Sequence, residues 1–119
     1  MLKGKCAVIT GSTRGIGKAI AIALASPAAN IIISCSKSSD ELKETYDAIT
    51  ARGAFCTAYV GDMGSYSDVE EMFDLTLSRY GKTDVLINNA GIASIGLFQD
   101  MTPDMWNNII SVNLNSVYN

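Results

Sequence analysis

Residues 8–17 read VITGSTRGIG, an apolar run that passes directly into three glycines and then into a helical pattern. Gly11 permits a sharp turn at the end of the strand, because a residue without Cβ tolerates positive φ. Gly15 lets the backbone approach a phosphate group closely, and Gly17 lets the helix pack against the strand. The unpaired N–H groups and the positive dipole end of that helix favour an anion. The stretch predicts a phosphate-binding strand, loop and helix, with a flexible turn that binds no ligand as the alternative.

Strand-like and helix-like segments alternate along the rest of the chain. Apolar and β-branched runs predict strands at residues 6–10, 30–35, 54–60 and 84–88. Helical periodicity predicts a first helix from about Ile16 to a stop at Pro27, and a last helix that begins at Thr102-Pro103. Such alternation predicts a parallel sheet with right-handed crossovers and helices on both faces. We therefore expect a doubly wound α/β sheet in one domain spanning residues 1–119.

Two serines have the spacing of a capping box, in which a hydroxyl and an acid three residues later satisfy free helix N–H groups. Ser38 is followed by Glu41, and Ser67 is followed by Glu70. The spacing predicts one helix from Ser38 to about residue 53 and another from Ser67 to about residue 80.

Composition excludes several classes of protein. The net charge is −3 and the basic residues form no run, so we expect no nucleic acid and no membrane surface as a partner. No apolar run approaches the roughly 18 residues of a membrane span, and the chain does not begin like a signal sequence, so we expect a cytoplasmic protein. Cys6, Cys35 and Cys56 lack metal-ligand spacing and histidine is absent, so we expect no metal site.

The motifs taken together resemble those of the short-chain dehydrogenase/reductases. The glycine loop at 10–17, Asp62 after the third strand, the stretch NNAG at 88–91 after the fourth, and Asn113 match that family in order and spacing. Within this family, the residues of the two glycine-containing motifs are most similar to those of the 3-oxoacyl-(acyl-carrier-protein) reductases. The resemblance implies a Rossmann fold, a nicotinamide dinucleotide cofactor, reduction of a ketone or acyl-thioester substrate to a secondary alcohol, and a homo-oligomer. It favours 3-oxoacyl thioesters as the substrate class.

The charges near the expected adenosine ribose favour NADP. Folds that prefer NAD usually place a carboxylate at the end of the second strand, where this chain reads SCSK at 34–37 without an acid. Arg14 and Lys37 can instead pair with a 2′-phosphate, with Ser12 and Ser36 as neutral donors. The alternative is that Arg14 and Lys37 are two solvated loop charges.

The glycine loop and the resemblance together place the cofactor on a set of loop residues. These are Gly11, Ser12, Arg14, Gly15, Ile16, Gly17, Ser36, Lys37, Asp62, Met63, Asn89, Ala90 and Gly91. Asp62 is implied to accept a hydrogen bond from the adenine amino group, or else it only forms the turn at 61–64. The small residues at 90–91 let the backbone approach the ribose, while Asn89 can hold neighbouring loops, and a simple Asx-turn is compatible with both roles.

Asn113 is the one candidate catalytic residue. Its spacing puts it on a stripe with Trp106, Ile110 and Val117, which we expect to pack on the sheet. A buried amide on that face must be hydrogen-bonded. The resemblance implies that Asn113 belongs to the catalytic tetrad and positions a water that leads to the catalytic lysine. Bonding of the amide to a neighbouring strand, with a bend in the helix, is compatible with that role.

The serine and the Tyr-x-x-x-Lys pair that the family's chemistry requires are absent. No tyrosine of the chain is followed four residues later by lysine; the tyrosines are Tyr46, Tyr59, Tyr66, Tyr80 and Tyr118. We therefore expect the amino-terminal, cofactor-binding portion of a reductase, truncated after the helix that follows the fourth strand and inactive alone. An open strand edge at 85–87 predicts self-association. The alternatives are a non-catalytic nucleotide-binding or sensor module, and a truncated product with no function of its own.

Overall fold

A computed structural model describes residues 2–119 of the chain. Its strands are β1 (Cys6–Ile9), β2 (Asn30–Cys35), β3 (Phe55–Val60) and β4 (Val85–Ile87). Its helices are α1 (Gly15–Leu24), α2 (Asp40–Thr50), α3 (Tyr66–Tyr80) and α4 (Pro103–Ile110), with a 3-10 turn at Phe98–Asp100 before α4. A π-helical turn (Ser111–Asn115) continues α4 into a last short helix, α5 (Ser116–Tyr118).

All four strands are parallel, in the order β3-β2-β1-β4. In the register, Ala7 of β1 lies between Ile31 of β2 and Val85 of β4. The order reverses at β1, because the chain first adds strands on one side of it and then returns to the other. The predicted doubly wound parallel sheet is confirmed.

Two apolar clusters cover the two faces of the sheet. One contains β1 and β2 side chains against α1 and α2, and its fully buried members are Ala7, Ile9, Ala21, Ala29, Ile31, Ile33 and Ile49. The other packs β1 and β2 against α3, and its members include Cys6, Val8, Ile32, Val69 and Met72. Because β1 and β2 are buried on both faces, they can carry a continuous apolar run instead of an alternating one.

The helix starts differ from both predicted capping boxes. Helix α2 has Ser39 as its N-cap, and no side chain caps it. The predicted capping box of Ser38 and Glu41 is therefore wrong. Helix α3 has Ser65 as its N-cap, and the Ser65 hydroxyl accepts from the backbone N–H of Asp68 at 3.3 Å. Several serines precede α2, whereas α3 follows Ser65 directly and contains Ser67 in its first turn, so the capping serine is set by the residue at which each helix begins. The cap at Thr102 is confirmed, since its hydroxyl accepts from Met105 N–H at 3.2 Å.

The predicted burial of the last helix is also wrong. Trp106 is 51% exposed and Val117 is 56% exposed, and Asn113 is exposed as well. Within residues 2–119, β4 is an edge strand and its Leu86 is 45% exposed, so no further strand lies beneath this stripe. The helix instead contacts the loops that follow β3 and β4.

Candidate functional site

A cleft of about 770 Å³ opens at the carboxyl ends of the four strands. Its lining comes from the segment after every strand and from the last helix: Gly11, Thr13–Ile16, Ser34–Lys37, Ser39, Glu41, Gly61–Met63, Asn89–Ile92 and Val112. Small-molecule and cofactor sites have volumes of about 300–1,000 Å³. In open parallel sheets such sites lie where the strand order reverses, which here is at β1. The strand order and the position of the cavity therefore both indicate a ligand site at the carboxyl edge of the sheet.

The loop from β1 to α1 contains two glycines with positive φ. Gly11 has φ 60°, and a Cβ there would lie 2.8 Å from the Cα of Ala90. Gly15 has φ 58°, and a Cβ there would meet no atom within 4 Å. Gly11 thus permits close contact with the loop after β4, whereas Gly15 leaves open space in the cleft.

Helix α1 begins in this cleft without a side-chain cap. Its N-cap residue, Arg14, has extended backbone and makes no cap bond. The first N–H groups of a helix have no partner within the helix. Ile16, in that first turn, is 74% exposed and lines the cleft. An anion in the cleft would be stabilised by these N–H groups and by the helix dipole.

Gly17 serves packing and does not line the cleft. It is buried, and a Cβ at this position would overlap the side-chain amide of Asn89 and the carbonyl oxygen of Gly11. The absence of a side chain therefore lets α1, the first loop and the loop after β4 meet at one point.

Thr10 joins the two loops, a role that the sequence reasoning missed. Its hydroxyl accepts from the backbone N–H groups of Asn89 at 3.1 Å and Ala90 at 3.0 Å. In return, the amide of Asn89 donates to the carbonyl oxygens of Thr10 at 3.1 Å and Gly11 at 2.9 Å. The available signal was a polar residue that ends an apolar strand directly before a glycine.

Ser12 does not reach the cleft. It is completely buried; its hydroxyl donates to Ile9 C=O at 2.7 Å and accepts from Ser34 N–H at 3.0 Å. This hydroxyl cannot also donate to a phosphate, so the expected role of Ser12 is corrected to a structural one. A serine in a tight turn satisfies the backbone around it before it reaches a ligand.

Arg14 and Lys37 line the cleft, and neither forms an ion pair with any residue in 2–119. Ser36 lies beside them and is exposed. Glu41, in the first turn of α2, also lines the cleft. The sequence reasoning looked for an acid only at the end of β2, so it missed this carboxylate. The part of the cleft formed by the loops after β1 and β2 and by the start of α2 thus contains two cations, Arg14 and Lys37, and one anion, Glu41.

Asp62 forms a turn and still leaves one carboxylate oxygen open. Its Oδ1 accepts from Gly64 N–H at 2.8 Å, and its backbone N–H donates to Asp68 Oδ2 at 2.8 Å. Its Oδ2 accepts no hydrogen bond from the described chain. Asp62 and Met63 both line the cleft, and Met63 is also part of the core. The two roles considered for Asp62 are therefore compatible with each other.

Asn113 holds the loop after β4. Its Oδ1 accepts from Ile92 N–H at 2.7 Å, and its Nδ2 donates to Ile92 C=O at 2.8 Å. It lies in the π-helical turn, a distortion that is frequent at functional sites. The amide is hydrogen-bonded as expected, but its partner is a cleft loop and not a strand.

The family model for short chain dehydrogenases matches residues 5–119. The chain belongs to the short-chain dehydrogenase family. It is 39% identical over 118 residues to D-beta-hydroxybutyrate dehydrogenase from Cupriavidus necator, covering 99% of this chain and 45% of that protein. It is 35% identical over 115 residues to a 3-oxoacyl-(acyl-carrier-protein) reductase from Staphylococcus epidermidis, covering 97% of this chain and 47% of that protein.

Solved structures of the family superpose closely on this fold. A short chain dehydrogenase from Burkholderia cenocepacia, in complex with NADP, has a TM-score of 0.92 and 35% identity, covering 98% of this chain and 48% of the other. This short-chain dehydrogenase chain therefore spans about half the length of the curated relatives and structures that it matches.

Three further reactive side chains of this short-chain dehydrogenase have a raised pKa, and of these Cys35 lines the cleft. Burial raises the pKa of the Cys35 thiol, and a backbone hydrogen bond at Lys37 partly offsets this. Burial raises the pKa of Cys56 to about 12. Burial and the carboxylates of Glu71 and Asp68 raise the pKa of Tyr59. Among residues 2–119 no tyrosine lines the cleft.

Across residues 2–119, no helix combines the length and apolar character that crossing a membrane requires. Over the same residues, no group of three or more histidine, cysteine, aspartate or glutamate side chains is arranged to hold a metal ion.

Proposed function

We propose that this chain is the cofactor-binding part of an NADP-dependent short-chain oxidoreductase that reduces a ketone to a secondary alcohol. The observation that carries the proposal is the start of α1 in the cleft without a side-chain cap, beside the open space at Gly15 and two cations that form no ion pair within residues 2–119. We propose 3-oxoacyl thioesters as the substrate class. The names of the two curated relatives support a substrate with oxygen on the third carbon of an acyl chain, which is a ketone in a 3-oxoacyl group and an alcohol in beta-hydroxybutyrate.

The pyrophosphate would lie at the start of α1. Gly15 has no Cβ and leaves room for a phosphate, and the first-turn N–H groups of the helix are free to donate to it. The loop keeps this shape because Thr10 and Asn89 hold it against the loop after β4. The phosphate site is therefore formed before any ligand binds, which lowers the entropic cost of binding.

The 2′-phosphate of NADP would lie between Arg14 and Lys37, with Ser36 as a neutral donor. Neither cation is neutralised within the described chain, so both can pair with a dianionic group. Glu41 opposes this choice, because its carboxylate repels a phosphate and can accept from a ribose hydroxyl. The Burkholderia relative, whose structure contains NADP, supports a net preference for NADP.

The adenosine would lie along the loops after β3 and β4. Asp62 Oδ2 is open to accept from the adenine amino group, and Met63 provides an apolar surface. Ala90 and Gly91 have small side chains and let the ribose approach the backbone.

The bound cofactor would supply the hydride for ketone reduction. The share of the reaction that we propose for these 119 residues is to bind and orient that cofactor, with Asn113 holding the loop at Ile92. A non-catalytic nucleotide-binding module is the second candidate, favoured by the lack of a tyrosine at the cleft within residues 2–119. Because both candidates predict that these residues alone are inactive, the deciding assay uses a chain that continues past Asn119. Turnover of an acetoacetyl thioester with NADPH by that longer chain would exclude the non-catalytic module.

Calorimetric titration with NADP⁺ and NAD⁺ tests the cofactor proposal. We expect tighter binding of NADP⁺, and we expect Arg14→Ala and Lys37→Ala each to weaken it by about tenfold while NAD⁺ affinity stays nearly unchanged. Lys43→Ala is the matched control, because Lys43 is exposed and pairs with Asp47 away from the cleft. Glu41→Gln should increase NADP⁺ affinity. Equal affinities for the two dinucleotides would rule out the proposed preference.

A further inference from the structure

The last helix reaches two separate loops of the cleft through hydrogen bonds. Ser111 Oγ donates to Gly64 C=O at 3.2 Å, and Asn119 Nδ2 donates to Met63 C=O at 3.0 Å, so both hold the turn that carries Asp62. Asn113 holds Ile92 in the loop after β4. Ser111 and Asn113 lie two residues apart in the π-helical turn and bond to different loops, Ser111 to the turn at Gly64 and Asn113 to Ile92.

Gly64 is shaped for the contact with Ser111. A Cβ at Gly64 would overlap the Ser111 hydroxyl and would lie 3.1 Å from Asp62 Oδ1. Gly64 is not among the glycines with positive φ, so its lack of a side chain is needed for space and not for backbone conformation. The Ser111 hydroxyl therefore packs directly against Gly64, at a position where a larger residue would not fit.

The backbone of Gly64 connects Ser111 to the Asp62 carboxylate. Gly64 N–H donates to Asp62 Oδ1, and Gly64 C=O accepts from Ser111. A second bond, from Ser65 N–H to Asp62 C=O at 2.9 Å, closes the turn. Asp62 lines the cleft, and with Oδ1 held in this way its Oδ2 is the carboxylate oxygen that accepts no hydrogen bond from residues 2–119. A shift of Gly64 would move the carboxylate with it.

We propose that Ser111 is a positioning residue for the adenine end of the dinucleotide. Through Gly64 it holds Asp62 Oδ2 where the exocyclic amino group of adenine can donate to it. The inference rests on the proposed function, since it assumes that a dinucleotide binds in the cleft. Ser111 itself touches the turn and not the ligand, so its removal should affect recognition of the adenine amino group specifically.

The test compares NADP⁺ with its hypoxanthine analogue, which carries a carbonyl group in place of the adenine amino group. We expect Ser111→Ala to weaken NADP⁺ binding by about threefold to tenfold and to change binding of the analogue by less than twofold. Ser116→Ala is the control, because its hydroxyl lies on the same helix and makes no hydrogen bond within residues 2–119. It should change neither affinity. Asn119→Ala should produce a smaller loss with the same selectivity.

A double-mutant cycle adds a second measurement. Asp62→Asn should lose the same discrimination, and Ser111→Ala should add little further loss in the Asp62→Asn background. Equal losses for NADP⁺ and its analogue, additive losses in the cycle, or no loss at all would each overturn the positioning role. If the unaltered chain binds neither dinucleotide, the proposed function itself fails. That outcome differs from binding that is retained but insensitive to Ser111.

Discussion

Side chains of β1 and β2 at residues 6–9 and 31–33 are completely buried, whereas residues 91–119 contain no buried side chain. The first region forms two apolar clusters on the two faces of a parallel sheet. The second region leaves Trp106 and Leu114 more than half exposed and attaches through hydrogen bonds from Ser111 and Asn113.

The difference teaches that the two sides of the cleft are held by different forces. The side proposed to bind phosphate, at the start of α1, is held by hydrogen bonds between Thr10, Gly11 and Asn89. The side formed by Asp62 and Ile92 depends on polar contacts from an exposed helix. Apolar burial should therefore determine the stability of the fold, while the polar contacts should adjust ligand recognition with little effect on it.

The largest expected effect compares Ile33→Ala with Leu114→Ala. Ile33 is completely buried, so its truncation should cost about 2–5 kcal/mol of unfolding free energy. Leu114 is 62% exposed, so its truncation should change stability by no more than about 0.5 kcal/mol. Urea denaturation measures both. Similar losses would show that the last helix is part of the cooperative core.

The next effect concerns Gly15→Val, with Gly81→Val as its matched control. Both glycines have positive φ and open space at the Cβ position, so valine should cost each about 1–2 kcal/mol of backbone strain. Gly15 lies in the cleft, whereas Gly81 ends α3. Only Gly15→Val should abolish dinucleotide binding, as calorimetry with circular dichroism would show. Retained binding would mean that the loop is a turn without a phosphate.

The smallest effect is the pH dependence from Asp84, which ties the start of β4 to β1. Asp84 Oδ2 accepts from Cys6 N–H at 2.8 Å, and this bond, with the nearby Lys82, lowers the pKa of the carboxyl group. A lowered folded pKa stabilises the fold above the unfolded value of about 3.9, and that contribution is lost as pH falls. Asp84→Asn should therefore lower Tm at neutral pH, with the difference closing below about pH 4.

Asp74→Asn is the control for this pH experiment, because Asp74 is exposed and makes no ion pair or hydrogen bond with residues 2–119. It should leave the Tm profile unchanged. A constant difference between Asp84→Asn and the unaltered chain across the whole pH range would show that ionisation of Asp84 contributes nothing.

The parts of the site that follow from local geometry could be predicted from the sequence. The strand at 30–35 is continuous because both its faces are covered, and β-branched runs show this directly. Gly11 has positive φ, as the predicted turn from strand to helix requires. The position of the cleft also follows, because parallel strands bring their carboxyl ends to one edge of the sheet.

Other parts depended on partners that are distant in the chain. Thr10 acts through Asn89, 79 residues away, and Asn113 acts through Ile92, 21 residues away. Nothing in the local sequence distinguishes the buried Ser12 from the exposed Ser36, since their difference lies in the backbone groups that surround them. Glu41 enters the cleft because of how α2 is placed after β2.

The sequence by itself determined the parallel α/β architecture and the glycine loops, because hydrophobic periodicity and φ preferences act over a few residues. Only the tertiary structure decided that Ser12 is structural, that Glu41 lines the cleft and that Ser111 supports the turn at Asp62. It also decided that the stripe at Trp106 stays exposed. Burial and hydrogen bonding are properties of what lies opposite a side chain in space, and spacing along one helix cannot specify that neighbour.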